Sequence, residues 1–328
     1  MSYVKKALPL LVACLLLALS FCPAHGAELL NLKMNLAKGQ IFDFTMSADS
    51  VIAQTMNGVD LQIKQRVGVS MWFEVSDVAA DGTVTAKMAF AGIRIHQEGP
   101  TGNLDFDTAN PPGDAAGPVE DVAAGEAESP DLAATYFTVK MSAQGEVLEI
   151  QGLDIAIEAL LQQLGLDPEK LALMKKSFNQ QFNDKTIQEL MQQGSANFPD
   201  HPIAVGDSWT TRMTLSNIYP FTVESTYTFR EYRDGAAYLD IAATMTPVEE
   251  PAPLEFAGVQ MKYSFSGNQV GTMRIQNENS YAYSGTVTQQ LAGYIELSGP
   301  EMKEALKWPM NIKTVVEFEM KERDMVLP

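Results

Sequence analysis

Long stretches of the chain alternate apolar and polar side chains with a period of two residues. The longest stretch runs from Val59 to Val75, with apolar residues at nearly every second position and mostly charged or amide residues between them. This alternation predicts β-strands with one buried face and one wet face, which is typical of antiparallel sheets. Similar runs occupy residues 32–36, 42–46, 84–90, 223–229, 239–245, 259–265 and 312–320.

Glycine-containing dipeptides separate several of these runs. Asp81-Gly82, Gln144-Gly145 and Asp234-Gly235 each stand between two strand-like segments. Each dipeptide predicts a tight hairpin turn, because glycine adopts a positive φ without steric cost. The strands that such turns join are expected to be antiparallel neighbours.

One block has helical rather than strand periodicity. Apolar residues recur at helical spacing after Asp154, a second helix is expected from Asp167-Pro168, and a third is expected to end at Gly194. We therefore predict an α+β fold that is mainly antiparallel β, a large curved sheet or half-barrel. The short helical insert, residues 154–193, is expected to pack on the concave face of the sheet.

The insert divides one domain into two strand-rich halves, residues 27–153 and 194–328. In the first half, Lys38-Gly39-Gln40-Ile41-Phe42 resembles Val205-Gly206-Asp207-Ser208-Trp209 in the second. Each segment leads into strands and then into an Asp-Gly turn. The similarity suggests a degenerate repeat, but the offsets to the Asp-Gly turn differ, 43 residues against 29, so a true repeat is left open.

The first half also contains an acidic segment, residues 98–132. Between Glu98 and Asp131 there are nine Asp or Glu residues, no Lys or Arg, and many Gly, Pro and Ala residues. Such a segment buries too little apolar surface to offset the entropy of ordering it. We predict a flexible acidic loop that is least structured at residues 110–114.

Residues 1–26 have the features of an export signal. Lys5 and Lys6 precede an uncharged apolar run, and Ala24 and Gly26 supply the small residues of a signal-peptidase site. The apolar run is shorter than the ~20 residues that a membrane-spanning helix needs. We expect cleavage near Ala27 and a periplasmic or secreted protein whose mature chain has no transmembrane segment.

The alternative is a membrane-anchored lipoprotein. Residues 11–14 end in Cys14 and resemble a lipobox, whose cysteine is acylated and becomes the new N-terminus. Cleavage there would leave the apolar residues 15–21 beside the lipid. Cys14 and Cys22 are the two cysteines of the chain, so a protein cleaved at Ala27 has no thiol and no disulfide.

The charge of the chain excludes one class of partner. The net charge is −18 and becomes −20 once the two lysines of the signal are removed. Binding to nucleic acid relies on clustered Lys and Arg, so nucleic acid is excluded as a partner. Adhesion to anionic lipid is disfavoured for the same reason.

Few residues are candidates for catalysis or metal binding. After the signal, the histidines are His96 and His201, both interpreted as solvated residues of loops or strand ends. Asp105, Asp107 and Asn110 have a spacing that faintly resembles a calcium loop, but the glycine and the terminal glutamate of such a loop are missing. We assign no catalytic, cofactor-binding or metal-binding residue, and we expect no cofactor.

Two further features are interpreted as structural. The segment 206–209, Gly-Asp-Ser-Trp, lacks the Gly-Xaa-Ser-Xaa-Gly pattern of a nucleophile elbow and is expected to open a strand. Most of the 17 methionines fall on the apolar side of strand patterns, as Met71, Met88, Met245 and Met261 do. Filling of the core is therefore expected rather than a soft binding surface.

Several short motifs resemble a family of uncharacterised bacterial exported proteins and lipoproteins, a domain of unknown function. The motifs are residues 38–40, residues 75–78 leading to Asp81-Gly82, and Phe198-Pro199 followed by residues 205–209. That family implies no activity or site residue. The long strands with a helical insert also look like the half-barrel lipid carriers of the bacterial periplasm, an analogy of fold alone.

Two functional hypotheses follow. The first is a non-enzymatic envelope protein that binds an apolar ligand or a protein partner. The alternative is a carboxylate-dependent hydrolase that acts on cell-wall or surface glycans, since two acids flanking a polar cleft perform that chemistry. The absence of a recognisable catalytic motif favours the first hypothesis.

The export signal makes a testable prediction. When the chain is expressed with its native N-terminus, we expect an intact mass that begins at Ala27, and Cys14→Ser should leave this processing unchanged. Intact-mass spectrometry of protein from the cell envelope is the measurement. An N-terminus at Cys14 carrying acyl chains, lost in Cys14→Ser, would instead establish the lipoprotein alternative.

Overall fold

The computed structural model consists of one large β-sheet and a short helix. It describes residues 29–56, 58–100, 102–108, 136–162, 188, 198–215, 220–248, 254–256, 259–276, 281–300, 302 and 304–323. The export signal predicted at residues 1–26 therefore lies outside the described residues. The elements are β1 (Ile41–Met56), β2 (Val59–Val78), β3 (Val84–Gly99), β4 (Gly102–Asp107), β5 (Phe137–Met141), β6 (Val147–Gln151), α1 (Leu153–Gln162), β7 (Ser208–Leu215), β8 (Phe221–Arg233), β9 (Ala236–Pro247), β10 (Leu254–Phe256), β11 (Val259–Gln276), β12 (Tyr281–Ser298) and β13 (Leu306–Glu322).

The sheet is an antiparallel meander whose chain ends meet in its middle. Its strand order is β6-β5-β3-β2-β1-β13-β12-β11-β9-β8-β7, with β4 paired to β3 and β10 paired to β11. The break in the meander lies between β6 and β7, the two edges of this order, which are joined in sequence through α1. The first and last strands pair from Phe42 opposite Glu322 to Gln54 opposite Met310.

The predicted fold class is confirmed. The longest alternating run of the sequence is β2, a strand of 20 residues. All three predicted turns join antiparallel neighbours, and Gly82, Gly145 and Gly235 have φ values of 86°, 85° and 72°. At the β8–β9 turn Asp234 also has a positive φ, 52°, which fits the Asp-Gly preference of the tightest hairpins.

One alternating run forms no strand. Leu32, Met34 and Leu36 are buried as the pattern requires, but residues 31–37 lack a strand partner. This segment lies across one end of the sheet, where Leu30 exchanges two 2.8 Å hydrogen bonds with Ile203 and the Met34 N–H donates to the Ala143 carbonyl at 2.7 Å. It therefore ties the β5–β6 turn near one sheet edge to the chain that enters β7 at the other.

The sheet also extends into the segment predicted as a flexible acidic loop. Residues 98 and 99 belong to β3, and β4 pairs with β3 from Arg94 opposite Asp107 to Gly99 opposite Gly102. The acids of β4 are neutralised across the hairpin, because Arg94 donates to Asp107 at 2.8 Å. Residues 109–132 of the predicted loop lie outside the described residues.

The helical insert is described at its beginning. Helix α1 places Leu153, Ala156 and Ile157 in the same core as the strands, as expected for a helix that covers one face of the sheet. Gln188 is also helical, and its side chain donates to the Val147 carbonyl at 2.7 Å. The other residues predicted as helices, between 163 and 193, lie outside the described residues.

The two segments that suggested a repeat have the same local geometry. Gly39 and Gly206 have φ values of 89° and 100°. Their N–H groups donate to the Val75 and Phe229 carbonyls at 2.8 and 2.7 Å, so each turn is fixed to the strand that pairs with the one it opens. The similarity found in the sequence therefore corresponds to a repeated turn at the start of β1 and of β7.

The same turn is closed by a side chain in both halves. The Ala37 N–H donates to the Gln40 side chain at 2.7 Å, and the Ala204 N–H donates to the Asp207 carboxylate at 2.8 Å. An aromatic pair follows each turn: Phe42 stacks on Phe73 with 4.6 Å between ring centroids, and Trp209 stacks on Tyr227 at 5.4 Å. Beyond these turns the two halves differ in length.

Two apolar cores lie against the sheet. The larger, here called the end core, combines residues of β5 and β6 with residues of β8 and β9, and includes Phe73, Phe137, Phe229, Leu239 and Leu153. Since strands near opposite edges contribute to one core, the sheet must curve around it. A second core, here called the rim core, contains residues 215, 221, 223, 243, 245, 265 and 291.

Glycines allow β11 and β12 to approach closely within the curved sheet. A Cβ on Gly267 would collide with the Gln290 carbonyl oxygen, and a Cβ on Gly293 would collide with the Ser264 carbonyl oxygen. Leu291 stands opposite Gly267 and Phe265 stands opposite Gly293, so a large side chain lies over each glycine. Glycine at such positions permits sharp bending of a sheet.

This curvature makes a prediction about stability. Gly293→Ala should lower the free energy of unfolding by about 1–3 kcal/mol or more, because the new methyl group overlaps backbone atoms that cannot withdraw. Denaturant unfolding is the measurement. In the matched control, Gly68→Ala, the nearest atom is the Arg94 Cβ at 3.8 Å, so this variant should be neutral or stabilised by roughly 0.5 kcal/mol. Equal effects of the two substitutions would contradict the steric argument.

Candidate functional site

The face of the sheet that carries the two cores is the candidate site. We call it the inner face, and the strand register fixes its members: Met46 lies opposite Val69 on β2 and opposite Phe318 on β13. Two ends of this face are distinguished. The core end is near Phe42, and the rim end is near Val59 and Leu306, whose side chains are 58% and 46% exposed.

A row of uncharged polar residues crosses the inner face. The register places one residue of each successive strand from β3 to β7 directly opposite the next. Apart from Ala243, all of them carry a hydroxyl or a carboxamide. We call this row the polar belt; in strand order it consists of Gln97, Gln65, Ser50, Thr314, Gln289, Gln269, Ala243, Ser225 and Thr211.

Part of the belt is internally hydrogen bonded. The Ser50 and Thr314 hydroxyls are 3.0 Å apart across the β1–β13 junction. The Gln65 amide donates to the Gln97 side chain at 3.4 Å, a long and therefore weak bond. These pairs connect neighbouring strands along the belt.

The belt is anchored to the end core through Tyr227. This tyrosine is 4% exposed and its hydroxyl is hydrogen bonded to the side chains of Ser225 and Thr211. Burial raises its pKa above the ordinary value, and the two hydrogen bonds oppose that shift. Tyr227 therefore remains a neutral hydrogen-bonding group below pH 10.

Two glutamines of the belt keep unused hydrogen-bonding capacity. The Gln289 amide donates to the Met245 sulfur at 3.1 Å, and sulfur is a weak acceptor. The Gln269 side chain makes no hydrogen bond with the described residues. Both side chains are half-buried on the inner face, so two carboxamides are available there to a further polar group.

The belt lies between half-exposed apolar layers. On its rim side, Ile52 stands opposite Ile63 and opposite Ile312, and all three isoleucines are half-buried. On its core side, Val67 and Val316 flank Ala48 and are also half-buried. The middle of the inner face therefore presents apolar surface that the described residues do not fully cover.

Near the belt, charge is segregated to the opposite face. Within the described parts of β1, β2, β11 and β12, the positions that share the inner face with the belt carry no Asp, Glu, Lys, Arg or His. Outward positions carry the ion pairs instead, such as Arg66 with Asp49 and Lys307 with Glu296 at 2.6 and 3.1 Å. A sheet with these two faces presents its charged side to water.

The histidines singled out in the sequence lie outside this site. His96 faces outward from β3, where Nδ1 contacts Asp105 and Nε2 is 3.5 Å from Glu98. His201 is 67% exposed, and its Nδ1 is 2.9 Å from Asp200, whose pKa it lowers. The structure does not bring the two histidines together, and each is paired with a neighbouring acid.

The residues whose spacing resembles a calcium loop, and the serine of the Gly-Asp-Ser-Trp segment, have other partners. Asp105 contacts His96 and Asp107 is bound by Arg94, while Asn110 lies outside the described residues. The Ser208 hydroxyl is 2.8 Å from the Thr228 hydroxyl on the neighbouring strand. Among the described residues no group of acids, histidines or cysteines has the arrangement of a metal site.

The methionines behave largely as expected. Met88 and Met245 are 8% and 1% exposed, which confirms their place in the core. Met71 packs against the end core, and Met261 is half-buried at the rim end of β11.

Sequence reasoning missed the polar belt, although a signal for it was present. Gln65 occupies an inward position of β2, between Ile63 and Val67, where the alternation predicts an apolar residue. Gln269 occupies such a position in β11. One such interruption is unremarkable in a strand. Only the register shows that the interruptions of successive strands fall on one line.

The chain belongs to a family of unknown function, DUF6263, whose model matches residues 81–281. This confirms the resemblance to a domain of unknown function, and the matched region contains the motifs at residues 81–82, 198–199 and 205–209. No curated protein sequence is similar to the chain.

Similarity to solved structures is weak. A structure described as "Lipid-protein interactions in lipovitellin" has a TM-score of 0.42 at 10% identity and covers 89% of this chain, which spans only 26% of the lipovitellin chain. The COG4313 outer membrane channel from Pseudomonas putida F1 has a TM-score of 0.27 at 6% identity, over 88% of this chain and 97% of that chain. The outer membrane protein OprG from Pseudomonas aeruginosa has a TM-score of 0.25 at 7% identity, over 87% of this chain and 96% of that chain. All three scores are below 0.5.

Within the described part of the chain, no helix has both the length and the apolar character required to cross a bilayer.

The outward pair of His96 and Asp105 makes a prediction about pH. The hydrogen bond to Asp105 is the main cause that raises the pKa of His96 above its ordinary value of 6.5. The pair therefore stabilises the fold fully below pH 6.5, and this contribution is lost as the pH rises through the raised pKa. Asp105→Asn should lower the pKa of His96, as followed by NMR titration of the imidazole ring.

The control is Asp60→Asn, which removes the same charge from a carboxylate bonded to Thr55 at the far end of β2. It should leave the His96 titration unchanged. The change in stability should be small because the His96 side chain is 34% exposed and surface pairs are screened by solvent. An unchanged titration in Asp105→Asn would show that the pair does not form in solution.

Proposed function

We propose that this protein is a non-enzymatic binding protein whose inner face holds an apolar ligand. The observation that supports the proposal is the half-exposed apolar surface around the polar belt, above all the opposed isoleucines 52, 63 and 312. Curved surfaces lined by apolar side chains with a few placed polar groups are typical of small-molecule sites. The family is of unknown function, so the proposal rests on the inner face itself.

The apolar surface is large enough to give useful affinity. Removing apolar surface from water is worth about 25 cal/mol per Å², so completing the burial of one half-covered isoleucine contributes roughly 1 kcal/mol. The three isoleucines together with Val67 and Val316 would then contribute several kcal/mol. Part of this gain offsets the loss of ligand freedom on binding.

Binding accounts for the inner face better than hydrolysis does. A glycosidase needs two carboxylates that face each other across a polar cleft. The described acids near the belt lie on the outward face, where Asp49 and Glu296 are paired with Arg66 and Lys307. We therefore propose a binding role, and a small apolar ligand rather than a protein partner, because the surface is concave.

The site of action is also a proposal. The predicted export signal at residues 1–26 supports binding outside the cytoplasm, in the periplasm or after secretion. Membrane anchoring at Cys14 would place the same inner face beside a bilayer, which supplies apolar ligands. Both settings are compatible with a protein that holds lipid-like molecules.

The proposal is tested with a neutral apolar fluorophore, N-phenyl-1-naphthylamine. We expect saturable binding, and Ile52→Glu should weaken it at least about tenfold, because a carboxylate would be placed unpaired among apolar side chains. The matched control is Val51→Glu. Val51 is the next residue on β1 but faces outward and is 39% exposed.

The control should bind the fluorophore as the unaltered protein does. Circular dichroism spectra of both variants should match that of the unaltered protein. Native mass spectrometry of protein purified from its own envelope adds a second measurement, with a co-purified small molecule expected. Absence of fluorophore binding together with reproducibly ligand-free protein would exclude the binding role. Dimers that dissociate when the fluorophore is added would indicate that a second copy of the chain covers this face.

A further inference from the structure

We infer that the polar belt selects uncharged lipids in which an ester or amide linkage separates two apolar parts. This inference rests on the proposed function and makes it more specific. It is argued from three features of the inner face: the hydrogen-bonding groups of the belt, the absence of charge near it, and the apolar surface on both of its sides.

The belt provides the hydrogen bonds that such a linkage needs. A carboxamide offers two N–H donors and one acceptor oxygen. Gln269 lies directly opposite Gln289 on the neighbouring strand, so their amides are within reach of one bound group. An ester carbonyl accepts a hydrogen bond from either amide, and an amide linkage can also donate one.

An apolar ligand would cover these two glutamines at a cost. A buried polar group that loses water without gaining a partner costs about 1–3 kcal/mol. Among the described residues, the Gln289 amide has only the Met245 sulfur as a partner and the Gln269 side chain makes no hydrogen bond. A pure hydrocarbon would leave both amides poorly satisfied, whereas an ester at the level of the belt supplies an acceptor.

An ionised headgroup is disfavoured at the same position. The described positions of the inner face next to the belt on β11, β12 and β13 carry no cation, and the nearby Lys313 and Lys262 are exposed, outward-facing residues. Burying a carboxylate or phosphate without an opposite charge is strongly unfavourable. The belt therefore favours a neutral linkage over a fatty-acid carboxylate.

The apolar layers set the position of the linkage within the ligand. Ile52 and Ile312 are the next inward-facing residues from the belt on the rim side. Ala48 and Val316 are the next ones on the core side. From Thr314 to Leu306 the strand extends roughly 26 Å at about 3.3 Å per residue. A ligand lying along the strands therefore has room for an apolar chain on the rim side and a second apolar part on the core side of its linkage.

The experiment measures displacement of bound N-phenyl-1-naphthylamine from the full protein. The competitors are hexyl hexanoate, tridecane of the same chain length without the ester, and ionised dodecanoate at pH 8. Hexyl hexanoate should displace the fluorophore at a concentration at least tenfold lower than dodecanoate and about fivefold lower than tridecane. Equal or better displacement by dodecanoate would overturn the inference.

Variants connect this preference to the belt. The double variant Gln269→Met, Gln289→Met keeps the side-chain length but removes both carboxamides. The ester and tridecane should then displace the fluorophore at about equal concentrations. The control is Gln290→Met, which alters an exposed glutamine on the outward face of the same strand. Gln269→Met alone should lose part of the advantage, which provides a test if the double variant does not fold.

The outcomes separate the two proposals. If the unaltered protein binds the fluorophore but does not distinguish the three competitors, the inference is wrong and the proposed binding function stands. If the ester is preferred and the preference survives in the double variant, the belt is not its cause and the inference is wrong. If the fluorophore does not bind and the protein purified from its own envelope is reproducibly ligand-free, both proposals fail.

Discussion

The pairing of the first strand with the last is the interaction on which the rest of the structure depends. β1 and β13 join the two strand-rich halves through an uninterrupted antiparallel ladder in the middle of the sheet. The hydroxyls of Ser50 and Thr314 meet across this junction, as do Ile52 and Ile312. Both the polar belt and the isoleucine cluster are therefore continuous only because the chain ends pair, and a separated half would contain neither complete.

Curvature gives this continuous sheet a concave inner face. A flat sheet of antiparallel strands would expose its apolar face uniformly and would invite aggregation. Here β11 and β12 approach each other closely at Gly267 and Gly293, and the segment at residues 30–36 links the chain near both edges of the sheet. The end core is consequently closed by strands from both halves, whereas the centre of the inner face remains half-covered.

The sequence predicts local features of this fold better than it predicts the site. Period-two alternation identifies strands such as β2, and the Asp-Gly turns identify hairpins, because both depend on neighbouring residues. The segment at residues 30–36 shows the limit of that reasoning: residues 32–36 alternate as a strand does, yet the segment's backbone bonds go to isolated residues, from Leu30 to Ile203 and from Met34 to Ala143. The belt is a stronger example, since Gln65 and Gln269 are unrelated in sequence and share one line only through the register of every strand between them.

The distribution of charge explains why composition alone is misleading about function. A net charge of −18 suggests a protein that repels anions and attracts cations. On the strands near the belt, however, charged side chains point outward and are often paired, as Arg66 is with Asp49. Water and salt screen that outer field, whereas an ion on the inner face would meet an apolar surface without a counter-charge. The proposed ligand is therefore expected to be recognised by a few uncharged side chains on the inner face rather than by the many acids of the chain.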